Sequence, residues 1–196
     1  IMSCVYEGLQ LPIDAALRVE SRYFAQVLRS NEAAAMIRSL FLSMQELNKG
    51  ARRPADVPPT KIRKLAVIGA GFMGASVGYV SAKAGIDVVL VDRDQESADK
   101  GKAHAKSVID GLVAKGRAKP AEADAVMSRI TATADYAALG DCDLVIEAVF
   151  EDRKVKADTF AKAQQYLKPG VIFASNTSTL PITSLAESFQ DQARFV

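Results

Sequence analysis

Three glycines and one acid define the chemistry to look for. Gly69, Gly71 and Gly74 stand as G-x-G-x-x-G in Val67-Ile68-Gly69-Ala70-Gly71-Phe72-Met73-Gly74, and Asp92 closes a second apolar run further on. A residue without a side chain lets a phosphate approach the backbone, and a helix N-terminus offers free N–H groups and partial positive charge. Gly69 permits a tight turn out of a strand, Gly71 admits a pyrophosphate, and Gly74 allows close helix packing. Asp92 can accept hydrogen bonds from a ribose diol and would repel a 2′-phosphate. NAD is therefore favoured over NADP, with Arg93 beside the acid softening that preference. The same glycines in some other α/β domain would form only a Gly-rich turn.

Two further polar clusters follow apolar runs. Ala148-Val149-Phe150-Glu151, with Lys156 beyond it, follows Leu144-Val145-Ile146-Glu147. Ser175-Asn176-Thr177-Ser178-Thr179-Leu180-Pro181 follows Val171-Ile172-Phe173-Ala174. Strand ends bearing hydroxyls and an amide suit the nicotinamide end of a cofactor. Each cluster has a plainer reading: Glu151 as an acid at a helix N-terminus, Lys156 on a solvated helix face, and Asn176, Thr177 and Ser178 as caps of the helix that Pro181 begins. His104, the only histidine, falls in the helix after Asp92 and reads as a surface or core residue far from the strand ends. Cys4 and Cys142 have no metal-ligand spacing and read as thiols in a reducing compartment.

The elements must place these groups together. Lys64–Ile68 reads as a strand, Ala75–Lys83 as a helix stopped by Gly85, and Asp87–Asp92 as the next strand, a βαβ unit of about 30 residues. Asp94 caps a long helix to about Ala114, broken at Lys115-Gly116-Arg117, and Pro120 opens another to about Ser128. Strands follow at Ile130–Thr133, Leu144–Ala148 and Val171–Ala174, with a helix from Asp152 to Leu167. Alternation of this kind predicts an α/β fold, a Rossmann-type doubly wound parallel sheet covered on both faces. Before it, residues 1–50 read as an all-α helical segment, with Pro12 in a first turn and Ser30-Asn31 capping a second helix. Three prolines in residues 51–60 make that stretch a linker. The apolar faces of the leading helices require a packing partner. A net charge of +2 gives no nucleic-acid footprint, no apolar stretch spans a membrane, and no secretory signal is seen. The chain opens on Ile1 and closes as an apolar run begins at Phe195-Val196, which reads as an internal fragment.

Gly69-Ala70-Gly71-Phe72-Met73-Gly74, Val149-Phe150-Glu151-Asp152 with Lys154 and Lys156, and Ser175-Asn176-Thr177-Ser178-Thr179-Leu180 resemble the 3-hydroxyacyl-CoA dehydrogenase family over about residues 61–196. Leu11-Pro12-Ile13-Asp14 and Met36-Ile37-Arg38-Ser39-Leu40-Phe41 resemble the end of the hydratase/isomerase domain of multifunctional fatty acid oxidation proteins. The resemblance implies NAD-dependent oxidation of a (3S)-3-hydroxyacyl-CoA to a 3-ketoacyl-CoA in β-oxidation, in a parent that is also an enoyl-CoA hydratase and works in the cytoplasm. It implies that Phe72, Met73, Asp92, Val149, Phe150, Glu151 and Lys156 line the NAD site beside the three glycines. Ser178 would lie at the nicotinamide and bond the substrate oxygen, with Asn176 beside the substrate. Lys115 would meet coenzyme A from a protruding helical hairpin over Asp94–Ser128. The family's base His, its orienting Glu and a C-terminal helical domain would lie beyond Val196, so the fragment is expected to bind NAD and turn over little. Self-association through that domain and a thiolase partner are further implications; no metal and no nucleic acid are expected. Two alternatives stand beside this reading: a dehydrogenase of a free 3-hydroxy acid, and a non-catalytic NAD-binding or assembly module.

Overall fold

The computed structural model describes residues 1–51, 53–54, 56 and 60–196. The chain divides into two compact units, Ile1–Pro59 and Thr60–Val196. The expected linker falls partly on residues outside those described.

The first unit is helical: α1 (Met2–Gly8), α2 (Ile13–Leu28), α3 (Asn31–Met36) and α4 (Ser43–Asn48), with a π-helical stretch, Ile37–Leu42, between the last two. Ser30 caps α3 by accepting from the Ala33 N–H at 3.1 Å, as its residue type predicts. The α1 helix and the π-helical turns carry no signal in the sequence. None of the described residues in these helices is buried. Phe24, Leu40 and Phe41 are among its exposed large apolar side chains.

The second unit holds five parallel strands: β1 (Lys64–Ile68), β2 (Asp87–Val91), β3 (Ile130–Thr133), β4 (Leu144–Glu147) and β5 (Ile172–Ser175). Their order in the sheet is β3-β2-β1-β4-β5. The chain runs outward from β1 to one side, then crosses to β4 on the other. The crevice between the carboxyl ends of β1 and β4 is thus the topological switch point, where ligands of such sheets bind. Phe195 begins a further parallel pairing against Phe173, with the Val196 N–H donating to the Phe173 carbonyl at 3.0 Å.

Near-continuous apolar strands are the signature of a sheet buried on both faces. Alternation divides them between two cores. Leu65, Val67, Val88 and Leu90 pack with Ile109 and Val126 from α6 (Gln95–Ala114) and α7 (Pro120–Ser128). Ala66, Ile68, Val89 and Val91 face a second cluster with Phe160 of α8 (Arg153–Ala163) and Leu185 of α9 (Ile182–Ala186). Phe160, Phe173, Phe189 and Phe195 form the aromatic centre of that second core. The Phe173 ring lies 4.9 Å from Phe189 and 5.3 Å from Phe160, centroid to centroid.

Several element boundaries differ from the sequence reading: β2 ends at Val91 and β4 at Glu147, each one residue early, and β5 runs one residue later, Ile172–Ser175. The helix after the glycine turn, α5 (Phe72–Lys83), begins at Phe72 and not Ala75. Gly74 is inside it, because helix propensity yields to the need to pack the first helical turn against the Gly69 carbonyl. The α8 helix ends at Ala163, short of Leu167. Asp94 caps α6 through the Ser97 N–H at 2.7 Å, and Pro120 sits in the first turn of α7.

Candidate NAD site

The glycine turn has the geometry its composition implies. Gly69 takes φ +98° at the end of β1, and a Cβ there would lie 2.5 Å from the Ala148 carbonyl oxygen. Gly74 is tighter still, since a Cβ would fall 1.7 Å from the Gly69 carbonyl oxygen. Its partner is therefore the turn itself, more than the sheet. Gly71 is the opposite case: nothing lies within 4 Å of a Cβ added there. That space opens on the N-terminus of α5, which Gly71 leaves without a side-chain cap. The unpaired N–H groups of a first helical turn are anion donors. Bare backbone, open space and a helix N-terminus at a switch point fit a pyrophosphate.

Asp92 adjoins the turn at the end of β2. Its Oδ2 accepts from the Ala70 N–H at 2.7 Å, and its Oδ1 from the Arg93 N–H at 2.7 Å. Asp92 thus pins the glycine turn to the next strand. Each oxygen has a second lone pair for a ribose hydroxyl. A cleft of about 740 Å³ runs from here across the switch point. Gly69, Gly71, Phe72, Met73, Asp92, Val149 and Phe150 all line it. Phe72, Met73 and Phe150 are exposed around it. Ser97 and Lys100 of α6, Tyr136 and Thr159 line it as well, and sequence reasoning missed them. Ser97 and Lys100 carried a usable signal: they sit three residues apart just after a cap, so both face one side of α6. Tyr136 lies in a 3₁₀ turn, Tyr136–Leu139, that no sequence pattern announces.

Residues 64–196 match the family 3-hydroxyacyl-CoA dehydrogenase, NAD binding domain. The chain belongs to this NAD-binding family. Among solved structures, (S)-3-hydroxybutyryl-CoA dehydrogenase PaaH1 from Ralstonia eutropha is 33% identical with a TM-score of 0.67; the alignment covers 69% of this chain and 48% of that one. A 3-hydroxybutyryl-CoA dehydrogenase from Escherichia coli K12 is 29% identical with a TM-score of 0.66, covering 69% of this chain and 29% of that one. The dehydrogenase part of multifunctional enzyme 1 from C. elegans is 27% identical with a TM-score of 0.62, covering 70% and 31%. The chain spans about half of PaaH1 and about a third of the other two.

Within this 3-hydroxyacyl-CoA dehydrogenase fold, the other expected site residues lie away from the cleft wall. Lys156 is wholly buried, not on a solvated helix face. Its ammonium donates to Glu147 at 2.7 and 2.9 Å and lies 3.1 Å from Glu151. Glu151 is not the cap of α8; Asp152 is, accepting from the Lys154 and Val155 N–H groups. Instead Glu151 grips the loop after β5. Its Oε1 accepts from the Thr177 hydroxyl at 2.5 Å and from the Ser178 and Thr179 N–H groups at 3.0 and 3.3 Å. The Thr177 hydroxyl foremost, with those N–H groups and the Lys156 cation, holds the Glu151 carboxyl down at about 2. Asn176, Thr177 and Ser178 do not cap α9, whose N-cap is Pro181 with no side-chain bond. Asn176 and Ser178 are exposed on this clamped loop. Lys115 is exposed at the end of α6, outside the cleft.

His104 corrects the sequence reading. It lies against Phe72 of the glycine turn, with ring centroids 5.4 Å apart. Gly101 lies one turn earlier on α6, and a Cβ there would be 2.5 Å from Ala70. The lack of a side chain at Gly101 lets α6 ride against the turn, and this close approach puts His104 beside Phe72 at the start of α5. Burial raises the Cys142 thiol to about 11, which keeps it protonated. Among the described residues, no group of three or more His, Cys, Asp or Glu could hold a metal, and no helix is long and apolar enough to cross a membrane.

Proposed function

We propose that the chain is the cofactor-binding part of an enzyme that oxidises a (3S)-3-hydroxyacyl-CoA to the 3-ketoacyl-CoA. The observation that carries this is the open cradle at Gly71, beside an uncapped helix and an acid one strand over. NAD supplies the hydride acceptor when bound. The α5 N-terminus holds its pyrophosphate, Asp92 its adenosine ribose, and Val149 and Phe150 its nicotinamide side. Glu151 and Lys156 shape that side from behind. Ser178 bonds the substrate's 3-oxygen from the loop Glu151 clamps, with Asn176 next to it. Lys115 meets an anionic phosphate of coenzyme A.

The 3-hydroxyl proton goes to a histidine, oriented by a glutamate, that sequence outside these residues contributes. His104 packs on Phe72 and is not assigned that role. General acid–base help is worth about 10²–10⁴ in rate, so the chain binds NAD and turns over little by itself. Residues 1–50 are assigned to the end of a hydratase/isomerase domain, 51–60 to a linker and 61–196 to the dehydrogenase's NAD domain. The parent would be a cytoplasmic multifunctional β-oxidation protein, with self-association through a further domain and a thiolase partner. The kinship to the dehydrogenase part of a multifunctional enzyme supports the multifunctional parent alone.

Calorimetric titration with NAD and an assay with 3-hydroxybutyryl-CoA test the reading together. Binding of NAD with turnover at least about a hundredfold below an ordinary enzyme is expected. No NAD binding would remove the cofactor assignment, and ordinary turnover would remove the external base. Free coenzyme A should bind, less tightly after Lys115→Ala; no binding would favour a free 3-hydroxy acid as substrate.

A further inference from the structure

Glu147 ends β4 with no exposed surface, after Leu144, Val145 and Ile146. A buried carboxylate is costly unless it is paired and its lone pairs are filled. Here they are filled from three directions. Oε1 takes the Lys156 ammonium at 2.7 Å and the Val149 N–H at 2.7 Å. Oε2 takes the same ammonium at 2.9 Å and the Ser175 hydroxyl at 2.6 Å. Lys156 comes from α8, Ser175 from the end of β5, and Val149 from the cleft wall. Lys156 continues to Glu151, which grips Thr177, Ser178 and Thr179. The peptide between Ala148 and Val149 is also the surface against which Gly69 turns.

We infer that Glu147 is a positioning residue for the NAD cleft, although it does not itself line it. Through the Val149 N–H it sets the wall opposite the glycine turn. Through Lys156 and Ser175 it sets the loop that presents Asn176 and Ser178. An apolar side chain could fill the same volume, but it would give these three elements no common anchor. The affinity part of this inference rests on the cleft holding NAD; the anchoring part does not.

Glu147→Gln in the full chain separates anchoring from bulk stability. The amide keeps the volume and an acceptor, but it removes the charge that orients Lys156. Amide hydrogen exchange at Val149, Ser178 and Thr179 is measured beside NAD affinity, with Ile109→Val in the opposite core as a mildly destabilised control. In E147Q those three amides should exchange about tenfold faster relative to the rest of the sheet, and NAD affinity should fall about tenfold, the scale of one charge-assisted bond. Ile109→Val should change neither pattern. Exchange and affinity in E147Q equal to the control would overturn the inference. If E147Q does not fold, the neutral pair Glu147→Gln/Lys156→Met is judged by the same two readouts, and wild-type behaviour overturns it. Failure of both to fold would make Glu147 a folding residue and overturn it as well. If the unaltered chain binds no NAD, the cofactor reading fails, while the exchange data still decide the anchoring.

Discussion

Gly71 and Gly74 are three residues apart and do opposite work. A methyl group at Gly71 meets nothing in the protein, and φ −66° there suits any residue. The same group at Gly74 would collide with the Gly69 carbonyl. Gly71→Ala should therefore melt as the unaltered chain does but bind NAD markedly less well, because the methyl occupies phosphate space. Gly74→Ala should lower the melting temperature and cost binding only through that loss. Thermal melts and NAD titrations on both variants check the contrast; equal melting losses would refute it. Asp92→Ala should weaken NAD roughly tenfold or more, since a hydrogen bond to a charged group contributes about 1.5–3 kcal/mol. Asp92→Asn can still accept from Ala70 but loses the bond from the Arg93 N–H, so its melting temperature, read beside its Kd, separates the ribose contribution from that of the turn. An unchanged Kd in titration of the asparagine variant would remove Asp92 as the ribose acceptor.

The loop after β5 shows how an element is held by charge. Glu151 has an ordinary carboxyl value of 4.5 and is depressed to about 2 in the fold. A depressed carboxyl stabilises its clamp above its unfolded value and loses that contribution as pH falls through its folded one. The grip on Thr177, Ser178 and Thr179 should be intact above pH 4.5, weaken below it and be gone near pH 2. The Ser178 and Thr179 amide resonances of the folded chain, followed by NMR from pH 6 downward, should shift together with a midpoint near 2. A midpoint near 4.5 would show that the clamp is not formed. This element was only half legible in the chain. Ser175-Asn176-Thr177-Ser178 announces a polar loop at a strand end. That Glu151, in the segment after β4, reaches across to hold it depends on β4 and β5 being neighbours in register, with Glu147 opposite Ser175.

For the whole molecule, the two cores are unequal in kind. One face is mostly aliphatic, and the other is centred on four phenylalanines drawn from α8, β5 and the segment after α9. Phe160 touches the other three rings. Phe160→Ala should destabilise the second unit by about 3–5 kcal/mol, the usual cost of a large buried truncation. Urea denaturation followed by circular dichroism measures it; a loss under about 1 kcal/mol would mean the cluster is loosely packed. Among the described residues of the first unit none forms such a core. An apolar groove of about 700 Å³ lies between α1 and α2, lined by Val5, Leu9, Leu17 and Phe24.

Local physics fixes much of this protein before any tertiary contact forms. Strand–turn–helix order, the caps at Ser30 and Asp94, Pro120 in a first helical turn, and the glycine spacing follow from conformational preference and apolar period, which act over a few residues. The open glycine turn was legible for the same reason, since it is mostly backbone and needs side chains absent more than present. Pairing between distant residues is a different matter. Lys156 reads as a surface lysine until β4 places Glu147 beneath it, and His104 reads as remote until Gly101 lets α6 close on the turn. A buried charge takes its meaning from a partner across the sheet. Only the folded strand order, which sets who neighbours whom, could supply that partner.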